Sequence, residues 1–433
     1  MGTANKNKSH EENCLLLTPE NSGELSASLK EAGQSKNYIF TATEEEEAEE
    51  GSQRRELIDQ LIDQLIEAGD LEARRIVHLN LSRMNKIEEH VLEDMVISVQ
   101  TGMSLQELNR HLKEHGQWLP LHGRTKDDSI LNLIETGDGG PLESGYGGVR
   151  SLVLGLNSTL ANGDNLKSGG KIVKNVTGYD LSKLLVGTHS WLAICHSVHL
   201  RLFAYPEAAT TLVIPISKLD SLQDLIKRTC LSGLPFSSFE IVSSRLVETS
   251  CSGMDKIRDS EKDKHKAFAF ISFHGYVDEI KKSCQTLKEL LSSDQSNMVT
   301  METEDTEILL SNLSRFQSDR EAGTEQPVFL PVAPQDFPDV LKRAELAICS
   351  SERRWFYRPA TGKFCLNVDD KTLNLWHKDG VEFDAFLPGT RQYMAKCIRS
   401  RERQNSTRVI EELVSRVKEK FDPSSILNPL VRF

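Results

Sequence analysis

Between residues 137 and 148 the chain reads GDGGPLESGYGG, with six glycines. Glycine at this density lets a backbone approach a ligand closely and turn its N–H groups toward an anion. A set of tight turns has the same composition, and the residues alone leave both readings open. A second stretch, SGGKIVKNVTGYDLSKLLVG at 168–187, places a lysine after paired glycines. It is not a P-loop: position 165 is Asn where the first glycine belongs, and Ile172 follows Lys171 where Ser or Thr would hold magnesium. Nor does a G-x-G-x-x-G open a helix in the strand–turn–helix setting of a dinucleotide fold. No acid–base pair or Ser-His-Asp constellation can be defended from spacing, and the isolated His274-Gly275 reads as a structural feature of a strand. The eight cysteines (14, 195, 230, 251, 284, 349, 365 and 397) form no C-x-x-C pair, which argues against a zinc knuckle or a disulfide framework and for reduced thiols.

The elements that must carry these stretches are legible from periodicity. Residues 15–19 read as a strand, followed by a helix whose Leu25 and Leu29 share a face and which Gly33 should stop. Glu44 to Glu50 is an acidic run, and Leu57, Ile58, Leu61, Ile62, Leu65 and Ile66 mark an amphipathic helix ended by Gly69. Residues 95–100 predict a strand, then a helix opened by the capping box Ser104-x-x-Glu107, with Leu105, Leu108 and Leu112 inward and Gly116 at its end. Residues 151–168 predict a hairpin turning at Asn162-Gly163, and 198–202 a half-buried strand.

Beyond Pro206, strands at 210–216, 267–273, 328–332 and 364–368 alternate with helices near 221–229, 277–291 and 336–347. Polar loops are expected at 252–266 and 315–327. This predicts an α+β domain with an antiparallel sheet and helices on one face. Ile410, Leu413, Val414, Val417 and Phe421 form a last helix, stopped by Asp422-Pro423.

A chain of 433 residues needs two or three domains of about 100–200 residues each. The net charge of −12 argues against nucleic acid, whose phosphates need clustered Lys and Arg, and against an anionic membrane surface. No apolar run reaches the ~18 residues of a transmembrane segment, and the polar N-terminus has no signal core, so a cytoplasmic location is expected.

The run G-G-K-I-V-K-N-V-T-G-Y-D-L-S-K-L-L-V-G resembles the flavin domain of the E-type subunits of glycolate oxidase, in the vanillyl-alcohol oxidase superfamily. Residues 78–121 resemble the same family's strand, A-G-x-(S/T)-L-x-x-L helix and H-G-Q-x-L-P. FDPSSILNP at 421–429 is similar to its closing motif, and Phe329 to Pro334 and Arg354 to Val368 resemble its cap strands. The resemblance covers most of 75–433. It implies an α+β protein with a two-lobed PCMH-type FAD-binding domain over 14–207 (the acidic run and an inserted helix at 44–69). A ferredoxin-like α+β cap domain would follow over 208–399, and a C-terminal helix over 400–433 would return to the FAD lobe. By the same resemblance, Gly137, Gly140, Lys174, Asn175, Gly178, Tyr179, Asp180, Gly187, Ile194 and Asn428 would bind FAD. Asp180 could equally cap a helix through Leu181, Leu184 and Leu185. The implied partners are a D-type flavoprotein subunit and an iron–sulfur subunit of a 2-hydroxy-acid dehydrogenase, through which the chain could lie against the inner membrane.

The sequence departs from that family at three loops. The first glycine run is replaced by Phe40-Thr41-Ala42-Thr43 and then by glutamates. T-(I/L)-G-G-x-x-A is replaced by Ser129-Ile130-Leu131-Asn132-Leu133-Ile134-Glu135. G-S-x-G-x-L-G-(V/I) is replaced by Gly187-Thr188-His189-Ser190-Trp191-Leu192-Ala193-Ile194. Side chains here fill space a cofactor would need, and carboxylates repel its phosphates. The cap histidine cluster H-x-x-x-G-H-x-G-D-G-N of the hydroxy-acid-oxidising relatives is missing too, and the E-type subunits share that absence. Two expectations result: an FAD-linked electron-transfer subunit, or a flavin-free accessory subunit that kept the fold. A weaker third is an interaction module built on the 57–66 helix and the acidic run.

Overall fold

The computed structural model describes residues 14–42, 76–125, 128–170, 180–250, 265–291, 298–315, 325–348, 354–369, 385–386, 392–393 and 404–429. The acidic run, the 57–66 helix and most of the polar stretches at 252–266 and 315–327 lie outside these residues.

The chain opens with β1 (Cys14–Leu17), α1 (Ser22–Gln34), β2 (Tyr38–Ala42) and β3 (Ile76–Asn80), whose strands pair in parallel in the order β1-β3-β2. Asn21 caps α1 by accepting from the N–H groups of Gly23 and Glu24. Gly33 does not stop this helix, which runs on to Gln34; the left-handed residue is Lys36, at φ 53°. The glycine serves packing instead, because a Cβ on it would sit 2.9 Å from the carbonyl oxygen of Ala161.

Next come β4 (Ile87–Val91), β5 (Val96–Gln100), α2 (Leu105–Glu114), β6 (Gln117–Trp118), α3 (Ile130–Thr136), β7 (Val153–Thr159), β8 (Asn165–Gly169), α4 (Leu181–Leu185), β9 (Ile194–Arg201) and β10 (Phe203–Ala204). Five of these strands make an antiparallel sheet in the order β4-β5-β9-β7-β8. Ser104 caps α2 through the Glu107 N–H, and Leu105, Leu108 and Leu112 are buried, as the capping box predicts. Gly163 turns the β7–β8 hairpin at φ 85°. Leu25 and Leu29 of α1, Leu79 of β3, Ile97 of β5 and Val198 of β9 share one apolar core, so both sheets belong to a single lobe.

The second part is one antiparallel sheet of β11 (Ala208–Ile216), β12 (Ser238–Ser243), β13 (Ala267–Gly275), β14 (Val299–Met301), β15 (Glu325–Pro331), β16 (Trp355–Arg358) and β17 (Lys363–Asp369), in the order β14-β11-β13-β12-β16-β17-β15. Its helices are α5 (Leu222–Leu231), α6 (Ser244–Ser250), α7 (Val277–Leu291), α8 (Thr303–Arg315) and α9 (Phe337–Ile348). They cover both faces, not one. Leu212, Ile214 and Ile271 pack with Leu222, Leu287 and Leu341 of α5, α7 and α9. Val213, Phe268 and Phe270, from the opposite face, pack with Leu246, Leu309 and Leu313 of α6 and α8. The physical reason is that the central strands are apolar on both sides, so each face needs a cover.

The last helix, α10 (Gln404–Phe421), returns to the first lobe. Val417 and Phe421 pack on the first core, and Ile426 and Leu427 are fully buried in it. Leu427 bridges Ile39 in parallel, the Ile39 N–H donates to the Ile426 carbonyl at 2.8 Å, and the Asn428 N–H donates to the Ile39 carbonyl at 2.8 Å. Lys418 crosslinks this end by donating to Asp422 at 2.8 Å and to the Leu427 carbonyl at 2.9 Å. No helix among the described residues is long and apolar enough to cross a membrane.

The two parts meet through a buried ion network. Asp138, in the glycine-rich loop after α3, lies 2.7 Å from Lys363 and 3.4 Å from Arg358, both on the second sheet, and 3.4 Å from Arg124. Arg358, fully buried, also donates to Glu240 at 2.8 Å. Burial alone would raise the Asp138 carboxyl, but Lys363, Arg358 and Arg124 outweigh it and hold the group well below the usual carboxylate range. Asp138→Ala strands these buried cations and is expected to cost about 3–5 kcal/mol in a denaturant titration. Arg83→Ala, which breaks the exposed pair with Glu20, is expected to cost less than about 1 kcal/mol in the same assay. Equal losses from the two variants would show that the network does not hold the lobes together.

Candidate functional site

The three altered loops converge on one buried carboxylate. Glu135, in the last turn of α3, accepts a hydrogen bond from the Thr41 hydroxyl at 2.6 Å. The Ser190 hydroxyl donates to the same oxygen. The backbone locks the same junction: the Gly187 N–H donates to the Ile134 carbonyl at 2.8 Å and the His189 N–H to the Glu135 carbonyl at 3.0 Å. The Asn428 side-chain amide then donates to the His189 carbonyl at 2.6 Å. Thr41, Glu135 and Ser190 are all buried, so the carboxyl oxygen accepts from two hydroxyl donors out of water.

His189 and Ser190 hold φ values of 49° and 57°, a left-handed path normally left to glycine. Ser190 stands where the family motif has a glycine.

The expected flavin-binding residues divide into four groups. Lys174, Asn175, Gly178 and Tyr179 lie outside the described residues. Gly137, Gly187, Asn428 and Ile194 belong to the junction around Glu135 or its core: a Cβ on Gly137 would meet Gly187 Cα at 3.3 Å, and Ile194 is buried in the first apolar core. Asp180 caps α4 by accepting from the Lys183 N–H at 3.3 Å; Leu185 of that helix is buried, whereas Leu184 is exposed.

Gly140 faces the protein. A Cβ there would meet His122 Cβ at 2.9 Å, while one on Gly145 would meet Ser237 Cα, across the lobe boundary, at 2.6 Å. The glycine-rich stretch thus lets the two lobes approach each other. Gly145 N–H donates to the Ser237 carbonyl at 3.0 Å, and the Ser314 hydroxyl to the Gly123 carbonyl at 2.7 Å.

Beside this contact lies a cleft of about 510 Å³, lined among others by Trp118, His122, Tyr205 and Glu307, with Arg110, Lys113 and Arg315 as cations. The fully buried His274 side chain stacks on Trp118, its Nε2 lies 3.0 Å from Glu307 Oε1, and its Nδ1 lies 2.6 Å from Ser237 Oγ. His274 is thus a fixed structural group, as its isolation in a strand predicts. Among the described residues His122 Nδ1 has no hydrogen-bond partner, and its Nε2 is 4.0 Å from Glu307 Oε2. Burial drives the His122 imidazole down to about 4, against the weaker upward pull of Glu307. At neutral pH it is therefore uncharged and makes no salt bridge with Glu307. A neutral imidazole, a carboxylate and several cations in one cleft can hold a small anion and exchange a proton with it. Sequence reasoning missed His122, Glu307 and Trp118; the H-G-Q-x-L-P motif, which carries Trp118 and ends beside His122, was the available signal.

Comparison with known proteins agrees with this architecture. Residues 65–169 match the family model of an FAD binding domain. The D-lactate dehydrogenase of Archaeoglobus fulgidus is 26% identical over 296 residues, 68% of this chain and 61% of that protein. The glycolate oxidase subunit GlcE of Escherichia coli is 30% identical over 146 residues, 33% of this chain and 41% of that protein. The chain therefore spans less than two thirds of the length of either relative. Among solved structures, p-cresol methylhydroxylase with substrate bound superposes with a TM-score of 0.70 at 13% identity, covering 96% of this chain and 90% of that one. The fold is that of the PCMH-type FAD-binding proteins with their cap.

Among the described residues, the three loops that the resemblance places around an FAD pyrophosphate do not fit it. A pyrophosphate needs donors from the three loops, and here Thr41 and Ser190 already give theirs to Glu135. A phosphate brought to about 4 Å from an ionised carboxylate meets roughly 4 kcal/mol of repulsion at intermediate dielectric.

The buried His122 has a further consequence. Its folded pKa lies below the ordinary 6.5, so its contribution to stability is complete above that value and is lost as pH falls toward about 4. Between about pH 7 and about pH 5, wild-type protein should lose about 2 kcal/mol more unfolding free energy than His122→Gln. Parallel pH profiles for the two proteins would exclude a buried neutral imidazole.

Proposed function

We propose that this chain is a flavin-free accessory subunit of an FAD-linked 2-hydroxy-acid dehydrogenase assembly. In this reading residues 14–207 and 400–433 build the former nucleotide lobe and 208–399 the cap. A D-type flavoprotein subunit and an iron–sulfur subunit carry the electrons. The observation that supports it most directly is the Glu135 carboxylate held by Thr41 and Ser190 where three phosphate-loop positions meet. Similarity to a glycolate oxidase subunit supports membership of such an assembly. The rival reading, an FAD-carrying electron-transfer subunit, draws on the unaltered G-G-K-I-V-K-N-V-T-G-Y-D-L segment.

The test is direct. Purified full-length protein should be colourless, and added FAD should leave its melting temperature unchanged. One bound flavin per chain, seen as the yellow visible absorption, would overturn the proposal. Glu135→Ala removes the shared acceptor and should lower stability by roughly 2–3 kcal/mol in urea. An unchanged midpoint would mean that the carboxylate does not anchor the loops.

A further inference from the structure

Three histidines gather where β4 meets the end of α2, apart from the Glu135 junction. His111 lies in the last turn of α2 and His115 is its C-cap, so a spacing of four sets them one above the other on a single face. His90 projects from β4, the edge strand of its sheet. The ring centroids are 5.3 Å (His90–His111), 5.2 Å (His90–His115) and 4.8 Å (His111–His115) apart. One ring nitrogen from each lies within 4.8 Å of one from each of the others, and His90 Nδ1 is 3.2 Å from His111 Nε2.

Nitrogens bound to one tetrahedral zinc at ~2.0–2.1 Å stand roughly 3.3 Å apart, so modest rotation of the rings satisfies the geometry. We propose that His90, His111 and His115 form a three-imidazole site for a divalent transition metal, with Zn²⁺ as its occupant and solvent as the fourth ligand.

The groups around the rings supply the second, independent argument. His90 Nε2 is 2.9 Å from Gln117 Oε1, and the Gln117 amide nitrogen is committed to the Leu92 carbonyl at 2.9 Å. The amide is therefore oriented with its oxygen toward the ring, so His90 carries its proton on Nε2 and turns the Nδ1 lone pair toward His111. His115 Nδ1 lies 3.0 Å from the His111 carbonyl, which accepts its proton and leaves the Nε2 lone pair available. Outer hydrogen bonds of this kind are how proteins fix the tautomer and the aim of metal-binding imidazoles. Mere packing of three rings requires neither of them.

All three donors are nitrogens, which suits zinc over magnesium or calcium. His115 is exposed and the other two half-buried, so the fourth position opens to water. The same helix lines the interlobe cleft with Asn109, Arg110 and Lys113, so a bound ion would fix the end of a cleft wall.

The experiment uses the full chain, stripped with chelator and titrated with Zn²⁺ alone by calorimetry, and separately with Co²⁺. One Zn²⁺ per chain is expected, together with the visible absorption of tetrahedral Co²⁺. His111→Ala should weaken Zn²⁺ at least 100-fold. His115→Ala, at an exposed position, should do so at least 10-fold. Gln117→Ala keeps all three ligands but frees the His90 tautomer, and should cost about 10-fold. Zn²⁺ uptake that is absent, or that survives His111→Ala and His115→Ala unchanged, overturns the site. Flavin content enters neither readout, so the result stands apart from the functional proposal above.

Discussion

A single aspartate organises how the two halves of this protein meet. Asp138 sits one residue beyond the left-handed Gly137 that ends α3, and from there it faces Lys363 and Arg358 on the second sheet. Two charges of opposite sign in a dry interior are stable only if each is closely partnered, because desolvating them costs several kcal/mol per ion. That constraint sets the rest. The loop must come close enough for the contact, so Gly139, Gly140 and Gly145 stand where a Cβ would strike Leu121, His122 or Ser237. Glu240 must sit beside Arg358 to share its charge, which explains a carboxylate in the middle of an otherwise closed strand.

The glycine-rich loop and the three altered loops thus tell one physical story. In a flavin-binding arrangement, backbone N–H groups and bare glycines face a bulky anion. Here Gly140 and Gly145 face Ser314 and Ser237 of the opposite lobe, and the Glu135 carboxyl takes the Thr41 hydroxyl as its donor. The Ser190 backbone, at φ 57°, is the clearest trace of a glycine's path. A serine in that region costs on the order of 1–3 kcal/mol. The hydrogen bond from Ser190 to Glu135 offsets part of it, which accounts for a serine being tolerated at a position shaped for glycine.

Much of this was legible in the sequence, and the rest was hidden for definable reasons. Local signals worked where a side chain acts on its own neighbours: Ser104 on Glu107, Gly163 in its hairpin, and the helix expected over 277–291. Motif comparison identified the three loops as altered, yet could not say that they touch. The strand Ser238–Ser243 escaped notice because Ser238, Glu240 and Ser243 break its apolar pattern, although every residue in it is buried. Helices on both faces of the second sheet were likewise invisible, since a strand such as Ala267–Gly275 is apolar on both sides and shows no alternation. The lobe contact joins residues 138 and 358, and no local pattern announces a pair that remote.

Cofactor loss by itself would leave a cavity, and an empty cleft of cofactor size destabilises a protein through missing contacts. In the flavin-free reading, the fold stays intact because each vacated function is taken over by a different kind of group. The charge goes to a carboxylate with hydroxyl donors, and the surface between the lobes goes to direct backbone contact. The closing of the loops goes to the C-terminal segment, where Asn428 reaches the His189 carbonyl and Ile426 and Leu427 complete the strand edge at Ile39. In that reading the junction around Glu135 is bonded from within the chain, so the two-lobed shape would persist without a nucleotide to hold it.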